Sequence, residues 1–343
     1  MGITMGAYID HGGHVDGHMR DAELHPGIDR LLVTGSEQAR EIAGRIDKAE
    51  FVADWDALLG RDDVPLILML TTNLDAGRLT LEAVEAGRRV YGEKPGARTA
   101  EDMQRIVDAC ARTGAHYTPC YVRRTFTETR EIKRLIEAGA LGELWSFQAS
   151  WITWSAELRG VDQWLFEGEI AGGGILYWLA CHWIDLLRYV TGRRIVAVSA
   201  MTATMEERIS VEDVACLCAR LEGGAIGTIR CGYLRNPSSG GYDDYQLMTA
   251  YEGSHGAITH IPQGPVTVRV ISRAEGFAPG EQRNLHITTP KRGGYAYALL
   301  DEVVAATVEG RAPMIGAEDA LYVLRVAEAA YEASRTGREV AVG

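Results

Sequence analysis

Apolar and polar positions change rhythm along this chain. Over the first third, short apolar runs alternate with segments of 3.6-residue period, and beyond about residue 125 a two-residue alternation takes over. Ile3 to Ile9 is an apolar run ending in the turn Asp10-His11-Gly12-Gly13, and a helix follows through about Leu24. Arg30 to Thr34 predicts a second strand and Ser36 to Ile46 a helix, with Ser36 placed to cap it. Val64 to Thr71 is apolar without a break, as a strand buried on both faces must be. Leu79 to Ala86 carries the helical period, and Gly87 fits its stop. Arg89 to Tyr91 is another strand, leading into Gly92-Glu93-Lys94-Pro95. This alternation predicts a parallel, doubly wound sheet, whose ligand crevice lies at the C-terminal strand ends. The turns at 10–14, 34–36, 71–73 and 92–95 are then expected to line one cleft.

The later texture predicts a second kind of sheet. Leu144 to Trp151, Ile195 to Ala203, Val214 to Leu221, Ala225 to Tyr233, Tyr245 to Tyr251 and Val266 to Ile271 read as strands. Several alternate apolar with polar, which suits an antiparallel sheet with one covered face. Helices are expected at Ile175–Val190, Tyr295–Glu309 and Ala317–Ser334, and a turn-rich loop at Arg235–Tyr242. The change divides the chain into an α/β domain over 1–122 and a second domain over 123–343.

Composition narrows the partners. A chain of 343 residues is too long for one ordinary core, and 46% hydrophobic with 24% charged residues is the balance of a globular protein. A net charge of −12 repels phosphate backbones and anionic lipid heads, so neither nucleic acid nor a membrane surface is expected as a partner. No unbroken apolar run approaches the roughly 18 residues that span a bilayer, and the first residues lack the pattern of a signal peptide. Cys110, Cys120, Cys181, Cys216, Cys218 and Cys231 form no C-x-x-C pair and read as buried free thiols of a reducing cytoplasm.

Three motifs in order carry a family resemblance. Glu93-Lys94-Pro95 after a strand resembles the Glu-Lys-Pro turn of the Gfo/Idh/MocA oxidoreductases. Gly172-Gly173-Gly174 followed by His182 and Asp185 is similar to that family's Gly-Gly-Gly…His-x-x-Asp helix, and the segment Ala329 to Val340 resembles its ending. The resemblance implies a Rossmann domain, an α+β domain, and a nicotinamide-dependent alcohol–ketone reaction on a sugar, cyclitol or related polyol. It also implies a homo-oligomer, a dimer or tetramer built on the open sheet. Lys94 and His182 are the implied catalytic pair, residue types suited to proton transfer. Gly12, Gly13, His14, Thr34, Ser36, Thr71, Asn73, Glu93 and Lys94 are the implied cofactor contacts. Tyr121, Arg123, Trp164, Trp178 and His182 are the implied substrate contacts.

Departures from the pattern matter as much. The glycine fingerprint falls on Asp10, Gly12 and Val15, which sets a carboxylate where a pyrophosphate should lie. Two unit charges ~5 Å apart at an effective dielectric of ~20 repel by about 3 kcal/mol, enough to weaken binding more than a hundredfold. Alternatively Asp10 turns away and caps the helix. The second strand ends in Val33-Thr34-Gly35-Ser36, without the acid that grips a ribose hydroxyl, and with Arg40 nearby this places NADP slightly ahead of NAD. Trp178 occupies the place of the family's usual Asp, and Ala76 that of a usual His. His182 taken alone reads as a satisfied core histidine, and its place in the motif turns the reading toward function; Arg123 is equally a member of a structural ion pair.

Two further groupings stay open. Asp10, His11, His14, Asp16 and His18 crowd one turn, and His14 with His18 share a helix face as metal ligands often do; no third ligand is fixed by spacing, so no metal is assigned. Six of the seven tryptophans, Trp145, Trp151, Trp154, Trp164, Trp178 and Trp183, fall between 145 and 183, as core or as an aromatic wall for a sugar. The leading expectation is an NAD(P)-dependent polyol oxidoreductase. The alternatives are a family member that binds a sugar-like ligand without redox chemistry, and a metal-assisted lyase or isomerase using the His11–His18 cluster.

Overall fold

The structure, a computed structural model, describes residues 2–10, 14–235, 246–262, 267–278, 281–287 and 293–343. Gly12, Gly13 and His11, and most of the loop expected at Arg235–Tyr242, lie outside the described residues. The chain divides into two compact units. The first takes 1–122, 169–172 and 291–324; the second takes 123–168, 173–290 and 325–343. The expected division at 122/123 therefore omits two later segments that join the first unit.

In the first unit six parallel strands lie in the order β3-β2-β1-β4-β5-β6. They are β1 (Ile3–Asp10), β2 (Ile28–Gly35), β3 (Ala49–Phe51), β4 (Leu66–Thr71), β5 (Arg89–Gly92) and β6 (Tyr117–Pro119). Every residue of β4 is buried, as its unbroken apolar run demands. The helices α1 (Val15–Leu24), α2 (Glu37–Ala43), α3 (Trp55–Leu59), α4 (Asn73–Glu85) and α5 (Ala100–Thr113) follow β1 to β5 in turn. Chain order reverses between β1 and β4, the switch point at which doubly wound sheets bind ligands.

The second unit holds nine strands in the order β14-β13-β12-β11-β7-β10-β9-β8-β15. They are β7 (Leu144–Trp154), β8 (Ile195–Ala203), β9 (Val214–Leu221), β10 (Ile226–Arg235), β11 (Gln246–Gly253), β12 (Gly256–His260), β13 (Val268–Ser272), β14 (Gln282–Leu285) and β15 (Val340–Ala341). All pairs are antiparallel except β7 with β10. Helices α6 (Thr127–Glu137), α7 (Ala156–Arg159) and α9 (Cys181–Thr191) belong to this unit, α8 (Gly168–Ala171) and α10 (Tyr297–Glu309) fall largely in the first, and α11 (Ala317–Thr336) is divided between them. Strict alternation in β9 leaves Cys216 and Cys218 exposed, which corrects the expectation that all six thiols are buried; Cys120, Cys181 and Cys231 are buried and all six are free. The stretch Gly168–Thr191 is long and apolar enough to span a bilayer by composition, but most of it is buried in the protein, as a core helix is.

Candidate functional site

Asp10 and Thr71 are direct partners across β1 and β4, at the C-terminal strand ends and at the switch point. His14, in the left-handed region at φ 59°, stands at the N-terminal boundary of the helix after β1 and makes no side-chain cap bond. Thr34 is buried near the end of β2, and Gly35 beyond it has φ +126°. A Cβ at Gly35 would lie 2.1 Å from the Ile9 carbonyl oxygen, so no acid can stand there. Ser36 sits at the start of α2, but its hydroxyl donates to the Ile9 carbonyl at 3.3 Å rather than capping the helix. Arg40 lies over the Phe51 ring at 4.0 Å, with Glu37 3.5 Å away. Asn73 opens α4 and donates its amide to the Ala171 carbonyl at 2.8 Å. The Thr71 hydroxyl is buried and has no hydrogen-bond partner among the described residues, an orphan at the edge where a nucleotide would lie.

At the end of β5, Glu93 ties the first unit together. Its carboxylate lies 2.7 Å from His18 Nε2 and accepts from the Tyr295 hydroxyl at 3.0 Å. Cys120 Sγ lies 3.2 Å from the Tyr91 hydroxyl and 3.9 Å from His18 Nε2. One donor atom each of His18, Glu93 and Cys120 falls within 4.8 Å of the others, a set a metal could use. Each is already engaged. Of the residues grouped at 10–18, His14 and Asp16 are exposed while His18 is buried against Glu93, and His11 lies outside the described residues. Lys94 follows Glu93, only 7% exposed, and Tyr121 is buried just beyond β6.

Burial opposes charge on His18, but Cys120 and Glu93 outweigh it and hold the imidazole up at about 10. Burial pushes the Cys120 thiol up, so it stays neutral at pH 7 and Glu93 is the partner that sustains the imidazolium there. Glu93 itself is raised by burial yet held far below the carboxylate range, chiefly by its bond to His18. The His18 contribution to stability is complete below its ordinary 6.5 and is lost as pH rises toward about 10. The Glu93 contribution is present above its ordinary 4.5 and is lost in acid. Thermal stability should therefore decline on the alkaline side over that window, and Glu93→Gln should remove the decline. An unchanged alkaline limb in melting curves of that variant would show that the pair is not ionised.

In the second unit, Glu212 fixes the glycine turn before His182. Its carboxylate accepts from the Gly174 and Leu176 amides at 2.9 and 3.0 Å and from the Tyr331 hydroxyl at 2.8 Å. Burial raises its pKa and these bonds oppose the rise. A Cβ at Gly174 would lie 2.0 Å from the Glu212 carbonyl oxygen, which explains the glycine. The turn leads into a π-helical segment, Leu176–Ala180, carrying Trp178, and then into α9 with His182 at its second residue. Trp178 meets Trp164 edge-on, with ring centroids 5.1 Å apart. The His182 ring lies 5.7 Å from that of Trp151, and Trp151 lies 5.8 Å from Trp183. Arg123 stacks over Trp151 at 4.2 Å, while Arg124 makes a buried ion pair with Asp185.

Residues 10–121 match the description "Oxidoreductase family, NAD-binding Rossmann fold", and residues 129–259 match "GFO/IDH/MocA C-terminal domain". The chain belongs to the Gfo/Idh/MocA oxidoreductase family. It is 29% identical over 225 residues to levoglucosan dehydrogenase of Pseudarthrobacter phenanthrenivorans, a match spanning 65% of this chain and 55% of that relative. It is 26% identical over 315 residues to 1,5-anhydro-D-fructose reductase of Ensifer adhaerens, covering 90% and 89% of the two chains. Against the NADP(+)-dependent scyllo-inositol 2-dehydrogenase of Bacillus subtilis the identity is 24% over 325 residues, covering 91% and 88%. A solved levoglucosan dehydrogenase complexed with NADH and levoglucosan shares the fold over all of both chains, with TM-score 0.86 at 22% identity.

Membership makes the departures concrete. The family's Glu-Lys-Pro turn stands at the end of β5, while its acid before the histidine is replaced by Trp178, packed on a second indole. Sequence reasoning missed Glu212, Cys120 and Tyr295 as members of these networks. Glu212 carried one signal, a carboxylate two residues before an alternating strand. Cys120 and Tyr295 carried none, because they meet Glu93 only through the fold.

Proposed function

We propose that the protein is an NAD(P)-dependent oxidoreductase interconverting an alcohol and a ketone on a sugar, cyclitol or related polyol. The observation that carries the reading is Lys94, a lysine 7% exposed in the Glu-Lys-Pro turn at the C-terminal edge of a dinucleotide-type sheet. The named activities of the relatives support it. The orphan Thr71 hydroxyl, the buried Thr34 and the close chain approach at Gly35 fit a dinucleotide. Gly12, Gly13, His14, Thr34, Ser36, Thr71, Asn73 and Glu93 are the residues we assign to holding it. The exclusion of an acid at residue 35 and the ring-supported Arg40 favour NADP over NAD.

A bound nicotinamide supplies or takes up hydride at the carbinol carbon. Lys94 and His182 hold or move the proton at the substrate hydroxyl oxygen. Trp164 and Trp178 present aromatic surface to a sugar face and exclude water. Exposed Met201, Ile226 and Trp145 on the sheet of the second unit support a homo-oligomer. Native mass spectrometry of the purified protein reads both retained dinucleotide and copy number, and reduced-nicotinamide absorbance in a polyol screen reads turnover. A screen of sugars and cyclitols with either cofactor that yields no turnover would defeat the reading.

Asp10 beside Thr71 favours weak cofactor binding and keeps alive the reading of a sugar-binding protein without redox chemistry. Asp10→Gly should tighten NADPH by on the order of a hundredfold or more, from the repulsion of ~3 kcal/mol that it removes. Fluorescence titration decides it: tight binding unchanged by the substitution means the carboxylate does not meet the pyrophosphate.

A further inference from the structure

Two neighbouring arginines in one short turn have different fates. The Arg124 guanidinium is buried and satisfied by Asp185. Arg123 is half-buried and has no carboxylate within ion-pair distance among the described residues. Aromatic rings surround it instead: Trp151 at 4.2 Å, Trp183 at 5.0 Å and Phe126 at 5.8 Å from the guanidinium carbon. Burial lowers its pKa to about 10, which leaves it charged at neutral pH. Among carboxylates only the charge of Glu128 is felt at Arg123, from beyond ion-pair distance. A cation removed from water and faced at close range by π-surface is stabilised in part, and an arriving anion completes the compensation.

A second group points the same way. His260, on β12, is buried, and its Nε2 has no hydrogen-bond partner among the described residues. Burial, and then the Arg123 charge, push its pKa down to about 4, so a neutral imidazole sits in the field of that guanidinium. The indole that carries Arg123 also meets the His182 ring. The free cation therefore shares its aromatic support with the residue assigned to proton transfer.

We propose that Arg123 receives a carboxylate on the substrate, so that the protein acts on sugar acids, aldonic or uronic, rather than on neutral sugars. This rests on the polyol reading above and narrows it. A guanidinium binds a carboxylate through two parallel N–H donors, and Trp151 offers its face to the carbon skeleton. One cation with a neutral histidine balances a single negative charge. A phosphate monoester, near two charges at pH 7, calls for a second cation.

Binding is read without cofactor or turnover, by quenching of tryptophan fluorescence at Trp151 and Trp183. The probes are matched pairs of ligands differing by the carboxylate, such as D-glucuronate against D-glucose and D-gluconate against sorbitol, with glucose 6-phosphate beside them. At least one acid should bind about tenfold to a hundredfold more tightly than its neutral counterpart. Arg123→Met should abolish that preference, and Arg123→Lys should keep part of it, with both variants melting as the unmodified protein does. The proposal is overturned if no acid outbinds its partner, if glucose 6-phosphate binds best, or if Arg123→Met weakens acid and neutral ligand alike. Acid binding without redox turnover would sink the oxidoreductase reading and leave this one standing. Turnover of neutral polyols without acid preference would do the reverse.

Discussion

Lys94→Met and His182→Ala should each lower turnover by at least about a hundredfold, the ordinary consequence of losing a general acid or base. Lys94 is 7% exposed and His182 8%, so neither is a loose surface group whose work a water takes over easily. His182 also lacks the carboxylate that the family places one turn earlier, since Trp178 stands there against Trp164. The substitutions should leave the melting temperature near that of the unmodified protein, and steady-state kinetics on any polyol that turns over reads the effect. Trp178→Asp separates the two roles of that position. If the family template governs, the restored carboxylate keeps or raises kcat; if the indole is a wall for substrate, KM rises instead. Normal turnover by His182→Ala would return that histidine to the role of a core residue stacked on Trp151.

Arg124→Met should destabilise the protein by about 3–5 kcal/mol, because it removes the guanidinium that compensates a buried carboxylate. Asp185 and Arg124 are both nearly inaccessible, and the guanidinium reaches both carboxylate oxygens. Removing both charges together is a different matter. Arg124→Met with Asp185→Leu should recover much of the loss, since an apolar pair of similar volume needs no desolvation compensation. Denaturant melts of the two single variants and the double form a cycle that measures this. Purely additive losses would show that the ion pair is not the unit of stability.

Both sheets were legible because each imposes a period the residues obey. The unbroken Leu66–Thr71 run and the strict alternation of Val214–Leu221 left little choice of environment. The short β3 and β6 escaped because a strand of three residues carries no period. Helix α5 left signals at both ends that went unread: Thr99 accepts from the Asp102 amide at 3.0 Å, and Gly114 stops the helix at φ +74°. The site divides along the same line. Lys94 and His182 belong to local motifs and were named. The partners of Glu93 come from residues 18 and 295, far apart in the chain, and no local pattern records such a meeting.

The position of β7 bears on how the chain acquires its structure. This strand lies at the heart of its sheet, yet its two partners, β10 and β11, are synthesised long after it. Until they arrive, Trp151 and the other apolar residues of β7 have an open edge on either side, a template for wrong pairings. The first unit waits as well, because α10, which packs on α1 and β5, comes from residues beyond 290. Most contacts here are long-range, and closing such loops before any reward makes for slow assembly. Completion of either unit therefore awaits the last part of the chain, so a holding chaperone present during synthesis should raise the yield of folded protein.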